Sequence, residues 1–291
     1  MRAGGRWRTW RGGRGGSGAS AGTSLGVGAA AGLGDDLLLA NEVVDATRLG
    51  RVAASGARVT LAVDSDAAIA AAAAGGVREV LIDVNVGLPR CGCRPEDAGR
   101  LAEVARGAGL EVRGVMGYEG HVVGLEDRAV RTEMVAGCME LLVKAHAETG
   151  GDIISAGGTG TYDLNTWANE IQAGSYALMD TAYGKLELPF RNALTIVATI
   201  VSVSDGWVVA DCGLKAMGMD HGNPEVRDPG GSVWYVADEH LVFSPAAPLA
   251  VGDRIRVIPA HVDPTVAYHE RMWLIDGDDV VEEWPVDMRG W

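Results

Sequence analysis

Between residues 35 and 178 the chain repeats one pattern that few folds accommodate: a short apolar run rich in β-branched residues, then a longer stretch with helical spacing. The runs cover 37–41, 59–64, 80–86, 112–116, 153–156 and 171–178, and helical stretches at 46–54, 67–74, 95–108 and 126–148 lie between them. Runs that stay apolar instead of alternating belong to strands buried on both faces, the condition of a parallel sheet. Pro95 suits a helix start, and Gly107 and Gly109 mark a helix end. Strand and helix units repeated at this length predict a parallel α/β sheet or a barrel. In either, chemistry gathers at the C-terminal ends of the strands. The sequence places Asp64, Arg90, the segment from Tyr118 to His121, Ser155 and the segment from Gly174 to Tyr176 at those ends.

The richest of these ends reads Ser155-Ala-Gly-Gly-Thr-Gly-Thr-Tyr-Asp163 and directly follows the apolar pair Ile153-Ile154. Glycines let a backbone turn its N–H groups inward. The hydroxyls of Ser155, Thr159 and Thr161 add short donors, so the stretch has the makings of a phosphate cradle. Taken alone, a Gly-rich loop after a strand is more often a plain turn. A second pair, Gly174-Ser175, falls at the next strand end, where a barrel sets it beside the first.

Beyond residue 190 the helical periodicity stops. Runs at 195–203, 207–211, 232–236, 254–259 and 267–275, with Gly, Asp and Pro turns between them, predict a second, all-β domain over residues 192–291. Residues 1–34 also stand apart: they hold five Arg, no acid and no hydrophobic periodicity, and are expected to be disordered. An RNA-binding arm, a transit peptide and the wrong-frame translation of a GC-rich gene are three readings of such a mixture. The net charge is −14 over 291 residues, and without those arginines the rest of the chain is five charges more acidic. An acidic body argues against nucleic acid as the main partner. No run of about 18 apolar residues exists, so no membrane partner is expected and the cytoplasm is the expected compartment. Cys91, Cys93, Cys138 and Cys212 show neither paired zinc spacing nor a secreted framework, and read as reduced thiols.

Four motifs taken together are more specific than any of these signals: Val86-Gly-Leu-Pro-Arg-Cys-Gly92, Gly117-Tyr-Glu-Gly-His121, Ser155-Ala-Gly-Gly-Thr-Gly160 and Pro259-Ala-His-Val-Asp263. They resemble those of the D-threonine aldolases, which belong with the D-serine dehydratase-like, alanine-racemase-type pyridoxal-phosphate enzymes. The resemblance runs from Asp35 to Trp291. It implies a pyridoxal-phosphate-binding barrel over residues 35–191, a divalent metal held by the β domain, and a homodimer. The implied reaction is retro-aldol cleavage of D-threonine and related β-hydroxy-D-amino acids to glycine and an aldehyde.

On that resemblance Arg90 sits near the cofactor's phenolic oxygen, while Ser155, Gly158, Thr159, Gly174 and Ser175 face its phosphate. Tyr118 and Tyr176 pack on the ring or hydrogen-bond to it. Without the resemblance, Arg90 reads equally well as a surface arginine and the tyrosines as core. His261 and Asp263 are the implied metal ligands. At i and i+2 of an extended segment both would point to one face, Pro264 favours that extension, and so small a ligand set leaves positions for water and substrate. Alone, a His-x-Asp pair is most often a solvated turn. Where the dehydratase branch typically has a cysteine, Asp263 is a harder ligand that suits manganese or magnesium more than zinc. His121 is the candidate base for the substrate's β-hydroxyl proton, and His221 and His240 read as packing or dimer residues.

One part of the family pattern has no counterpart. The Schiff-base lysine of the family stands on the first barrel strand, in a segment resembling Arg-Pro-His-Ala-Lys, whereas the lysines here are Lys144, Lys185 and Lys215. The count of strands agrees, since a full barrel needs two more than the sequence supplies. The expectation is an incomplete (β/α)8 barrel with six of eight strands, followed by a smaller all-β domain. It is that of a truncated or frame-shifted copy, inactive as it stands. The alternatives are a lyase that dehydrates D-serine or 3-hydroxyaspartate, and a non-catalytic remnant.

Overall fold

A computed structural model describes residues 18–21 and 36–286. The chain divides into two compact units, with the break between Gly174 and Ser175, earlier than the change of sequence pattern near residue 192 predicts. Among the described residues no helix is long and apolar enough to cross a membrane.

The first unit contains β1 (Gly18–Ala21), β2 (Asp36–Leu39), α1 (Ala46–Ala53), β3 (Arg58–Val63), α2 (Asp66–Ala74) and β4 (Glu79–Asp83). It continues with α3 (Ala98–Gly107), β5 (Glu111–Gly117), α4 (Arg128–Thr149), β6 (Ile153–Ala156) and β7 (Glu170–Ile171). The seven strands pair in chain order and every pair is parallel. The incomplete parallel barrel expected from the sequence is therefore present, with one strand more than the six predicted. That strand, β1, falls inside the segment expected to be disordered, and the rest of residues 1–34 lies outside the described residues. A parallel ladder needs only backbone N–H and C=O groups, which Gly, Ala and Ser supply as well as any residue. A criterion that weighs apolar side chains passes over such a strand. The run at 171–178 is also corrected: β7 stops at Ile171, and Ser175–Ala177 forms a 3-10 turn.

Helices begin where the sequence offers a cap. The Ser65 side chain accepts from the Ala68 N–H ahead of the alanine-rich α2, and Asp127 accepts from Ala129 and Val130 at the start of α4. The buried side of α4 carries Val135, Cys138, Met139, Leu142 and Ala145, at helical spacing. One face of the sheet packs Leu38, Ala62, Leu81 and Met116 against one another. Strands β5 and β6 approach so closely at Gly114 that a Cβ there would overlap the Ile153 carbonyl. At the N-terminal ends of the strands, Arg113 Nη1 lies 3.3 Å from Asp36 and 3.4 Å from Glu79, and Arg58 Nε bonds both Glu79 oxygens at 2.8 Å.

The second unit opens with α5 (Thr181–Gly184) and is built on β8 (Ile196–Val203), β9 (Val208–Ala210), β10 (Glu225–Asp228), β11 (Gly231–Val236), β12 (Leu241–Pro245) and β13 (Arg254–Ile258). These six strands form one antiparallel sheet in the order β10-β13-β8-β9-β12-β11. Phe243, Ile200, Leu241 and Val257 fill its core. A helix, α6 (Val262–Tyr268), then leads to a hairpin of β14 (Arg271–Asp276) and β15 (Asp279–Pro285).

Helix α6 departs from the expected all-β pattern and from the extended reading of the His-x-Asp segment. His261 is extended (φ −141, ψ 118) as the N-cap residue, and the helix starts at Val262, so Asp263 lies in its first turn. Pro264 fits there because first-turn N–H groups have no intrahelical acceptor to lose.

Candidate active site

Three strand ends of the first unit bring acids together. Glu42 follows β2, Asp64 follows β3 and Asp83 closes β4. Glu42, Asp64 and the Cys91 thiol each offer an atom within 4.8 Å of the others. Asp83 is buried. Burial first, then a hydrogen bond with Glu42 and the charges of Glu42 and Asp64, raises its carboxyl well above the ordinary carboxylate range, with Arg90 opposing. The hydrogen bond with Glu42, followed by burial, pushes the Cys91 thiol up to about 11. At neutral pH it is therefore a protonated thiol and a poor nucleophile or metal ligand. Burial pushes Cys93 up to about 12.

Arg90 stands on the same rim, its guanidinium 5.3 Å from the centre of the Tyr118 ring. The loop that carries it is shaped by Asn85, whose amide donates to the Leu88 carbonyl at 2.8 Å and accepts from Gly87 N at 2.9 Å. A shallow concavity is lined by Asp83, Asn85, Val86, Leu88, Arg90 and Tyr118. His121 packs against this loop: a Cβ on Gly87 would come within 2.9 Å of its ring. Its Nε2 lies 3.8 Å from the Cys138 sulfur, and its Nδ1 is buried with no partner among the described residues.

The glycine loop after β6 is organised round a carboxylate. Glu119 is fully buried and accepts from Gly157 N (3.1 Å), Thr161 Oγ1 (2.8 Å) and Asn165 Nδ2 (3.3 Å). Gly158 N donates to Thr161 Oγ1 at 3.0 Å. Ser155 Oγ donates to Glu170 at 2.8 Å and accepts from Gln172 at 2.9 Å. The Ser155 hydroxyl and the N–H groups of Gly157 and Gly158, which the sequence offers to a phosphate, thus bind the loop to its own unit. Gly158 lies against Tyr118, and a Cβ there would come within 3.2 Å of the ring. Arg90, Tyr118 and Gly158 are therefore brought together, with Thr159 buried in the same loop and Gly174 exposed where the unit ends. Glu119 was within the Gly117-to-His121 motif, yet its role shows only once residues 157–165 fold onto it.

In the second unit, Tyr176 packs on Phe190 with ring centres 5.2 Å apart, and Ser175 Oγ lies 3.5 Å from Asp263 Oδ2. The start of α6 is fixed by Asp180, which accepts from Val262 N at 2.9 Å, and by Thr265, which donates to the His261 carbonyl at 2.6 Å. His261 and Asp263 do come together, by a helix cap instead of a strand: Nε2 lies 3.4 Å from Asp263 Oδ2. The other ring nitrogen, Nδ1, lies 2.8 and 2.9 Å from the two Asp220 oxygens, and the His221 ring stacks on His261 at 3.8 Å. Burial works against charge on His261, but the hydrogen bonds with Asp263 and Asp220 outweigh it and push the ring up to about 8.

Two donors each about 2.1 Å from one ion, at roughly 90–110°, lie about 3.0–3.4 Å apart. His261 Nε2 and Asp263 Oδ2 meet that condition at 3.4 Å, so these residues fit a divalent cation. A pyridoxal phosphate fits less completely. The cation on Tyr118 suits an aromatic anion, but the Ser155 hydroxyl and the Gly157 and Gly158 N–H groups are engaged within the unit, and covalent attachment needs a lysine beside the cofactor. Lys144 is exposed on α4, Lys185 is exposed at the end of α5, and Lys215 is exposed and paired with Glu239 at 2.7 Å. None of the three lies at a strand end.

Residues 28–182 match the family model "Alanine racemase, N-terminal domain", and residues 193–275 match "Putative serine dehydratase domain". That succession, with a parallel sheet carrying the first and an antiparallel sheet the second, defines a pyridoxal-phosphate lyase of the alanine-racemase-like fold. A 3-hydroxy-D-aspartate aldolase of Paracoccus denitrificans is 32% identical over 88% of this chain and 74% of its own length. A D-threonine aldolase of an Arthrobacter species is 33% identical over 90% and 76%. The crystal structure of D-threonine aldolase from Filomicrobium marinum superposes with a TM-score of 0.82 at 30% identity, covering 87% of this chain and 76% of that one. The chain belongs to the D-threonine aldolase family of lyases.

Proposed function

We propose that the chain is an aldolase cleaving D-threonine and related β-hydroxy-D-amino acids to glycine and an aldehyde, with His261 and Asp263 of the second unit holding Mn²⁺ or Mg²⁺. The observation that carries the reading is the carboxylate of Asp263 at 3.4 Å from His261 Nε2. An imidazole and a carboxylate form a hard, sparse ligand pair of the kind that leaves room for a substrate hydroxyl. A cation there acidifies a bound hydroxyl, and pyridoxal phosphate supplies an electron sink when bound. The chain's own residues do the rest. Arg90 and Tyr118 present a cation and a ring face to an aromatic anion. Gly158, Thr159, Gly174, Ser175 and Tyr176 complete the cofactor-binding set in this reading. In the same reading His121 is the base for the substrate's β-hydroxyl proton. The reading includes a homodimer.

Because no lysine stands at a strand end, borohydride treatment with one equivalent of pyridoxal phosphate is expected to give no stoichiometric adduct at a single one of Lys144, Lys185 and Lys215. The deciding experiment gives the purified chain pyridoxal phosphate, Mn²⁺, D-threonine and a small primary amine in place of the lysine. Glycine and acetaldehyde are the expected products. Ammonia and 2-oxobutanoate would move the chain to the dehydratase branch.

A further inference from the structure

We infer that Asp220, helped by His221, fixes the tautomer and orientation of His261 so that its Nε2 lone pair stands beside Asp263, ready for a divalent cation. The inference rests on the metal reading above and assigns a positioning role to two residues of the turn before β10.

Asp220 meets His261 at Nδ1, with both carboxylate oxygens at 2.8 and 2.9 Å. An ionised carboxylate only accepts, so the proton of this contact belongs to Nδ1. With Nδ1 protonated, the lone pair of the neutral ring is on Nε2. That nitrogen faces Asp263 Oδ2 at 3.4 Å. Histidine ligands generally donate their second N–H to a carboxylate, which fixes the ring and raises its basicity.

Asp220, His221 and His261 offer ligand-type atoms within 4.8 Å of one another. Their geometry nevertheless separates their roles. The His221 and His261 rings lie 3.8 Å apart and only 17° from parallel. Each imidazole nitrogen donates in the plane of its own ring, so two such planes do not converge on an ion about 2.1 Å from both. His221 is therefore a plate against which His261 lies, and it limits rotation out of the plane that Asp220 selects.

The turn is tied down where it needs to be. Gly218 forms an antiparallel bridge with His261, and its N–H donates to Thr265 Oγ1 at 2.9 Å. A Cβ on Gly218 would collide with the Pro264 ring, so the two backbones are in direct contact. Asp220 itself is 60% exposed, so replacing it leaves no buried void.

The test compares Asp220→Ala with Asp220→Asn in the full chain, reading Mn²⁺ affinity by titration calorimetry. Loss of such an orienting group costs about 10–100-fold in affinity, and that is the result expected for alanine. The asparagine carbonyl still accepts from Nδ1–H, so Asp220→Asn is expected to stay close to wild type. If Asp220 were itself a ligand, asparagine would lose as much as alanine, which would overturn the assignment, as would an Asp220→Ala protein that binds as tightly as wild type. A second readout needs no metal: long-range ¹H–¹⁵N spectra of the neutral ring, recorded at alkaline pH. Wild type and Asp220→Asn should show the Nδ1–H tautomer, and Asp220→Ala should shift to Nε2–H. An unshifted tautomer in Asp220→Ala refutes the inference. A wild type that binds no Mn²⁺ yet shows the Asp220-dependent tautomer removes the metal reading and upholds Asp220's hold on the ring.

Discussion

The two ends of the parallel sheet carry the same kinds of charge and treat them in opposite ways. At the N-terminal ends Arg113 stands between Asp36 and Glu79, and Arg58 grips Glu79 with both oxygens engaged. Each of those carboxylates faces a guanidinium. At the C-terminal ends Glu42, Asp64 and Asp83 crowd one another, and burial together with its acidic neighbours drives the Asp83 carboxyl upward. Arg90, the cation that opposes them, is turned over the Tyr118 ring. A third solution lies beside the second: Glu119 is held by the N–H and O–H donors of Gly157, Thr161 and Asn165. Compensated charge stabilises a fold, while a carboxyl shifted by burial and like charge at a concave rim marks a place kept for a ligand. The same sheet thus pairs its charges at one end and crowds its acids at the other.

The largest effect expected is at Glu119, which tests whether donor-only compensation matters more than ion pairing. Glu119→Ala removes the acceptor of the Gly157 N–H and of the Thr161 hydroxyl, and leaves the Asn165 amide only the Met139 sulfur at 3.2 Å. Hydrogen bonds to charged groups contribute about 1.5–3 kcal/mol each and do not add fully. A loss of at least about 4 kcal/mol is expected in urea unfolding, with the glycine loop exchanging its amide protons freely. A loss under about 1 kcal/mol would mean that the loop holds itself.

Next comes Arg113→Ala, at the opposite end. Arg113 is 10% exposed, and its removal leaves Asp36 and Glu79 facing each other without it. Breaking one side of such a buried pair costs about 3 kcal/mol. If Arg113→Met, which keeps most of the stem without its charge, restored the stability that alanine loses, packing of the stem rather than charge would explain the effect.

Much of this sheet can be read from the residues alone, and the reason is locality. Helix α4 was expected over 126–148 and runs Arg128–Thr149, because its apolar spacing and its Asp127 cap are both near in sequence. The His261 and Asp263 pair was likewise legible as a pair, although Pro264 suggested a strand where the chain forms a cap and a first helical turn. What stayed hidden acts across long separations. Glu119 takes its donors from residues 38, 42 and 46 positions away, and Asp220 meets His261 across 41. No periodicity records such a contact. Strand β1 was missed for a different reason, since its pairing uses backbone groups that composition does not show.

A smaller effect, of opposite sign, is expected from Asp83→Asn. The Asp83 carboxyl is raised well above its ordinary 3.8 by burial and then by Glu42. A group raised in this way adds stability that is complete below the unfolded value and is lost as pH rises through the folded one. Wild type should therefore weaken as pH rises from the ordinary carboxylate value towards the raised one, in a way that Asp83→Asn does not. At neutral pH the variant should be more stable, by on the order of 1 kcal/mol, because it removes a poorly compensated buried acid. Parallel curves of stability against pH for the two proteins would show that the crowded end carries no strain.

The smallest effect is expected from Arg58→Ala, and it sharpens the contrast within the compensated end itself. Arg58 makes the shorter contacts with Glu79, at 2.8 Å against 3.4 Å for Arg113, so distance alone would rank it first. Exposure reverses that order: the Arg58 side chain is 45% exposed and the Arg113 side chain 10%. Water screens the exposed pair in the folded state and replaces it readily when it is broken, whereas it reaches the Arg113 cluster poorly. Arg58→Ala should then cost about 0.5 kcal/mol, and less at high salt. Arg113→Ala should keep most of its loss in the same buffer. Measuring both variants by urea unfolding at low and high salt decides the matter. If Arg58→Ala cost as much as Arg113→Ala, contact length and not burial would set the strength of this end, and the division between a paired structural end and an unpaired functional one would lose its physical basis.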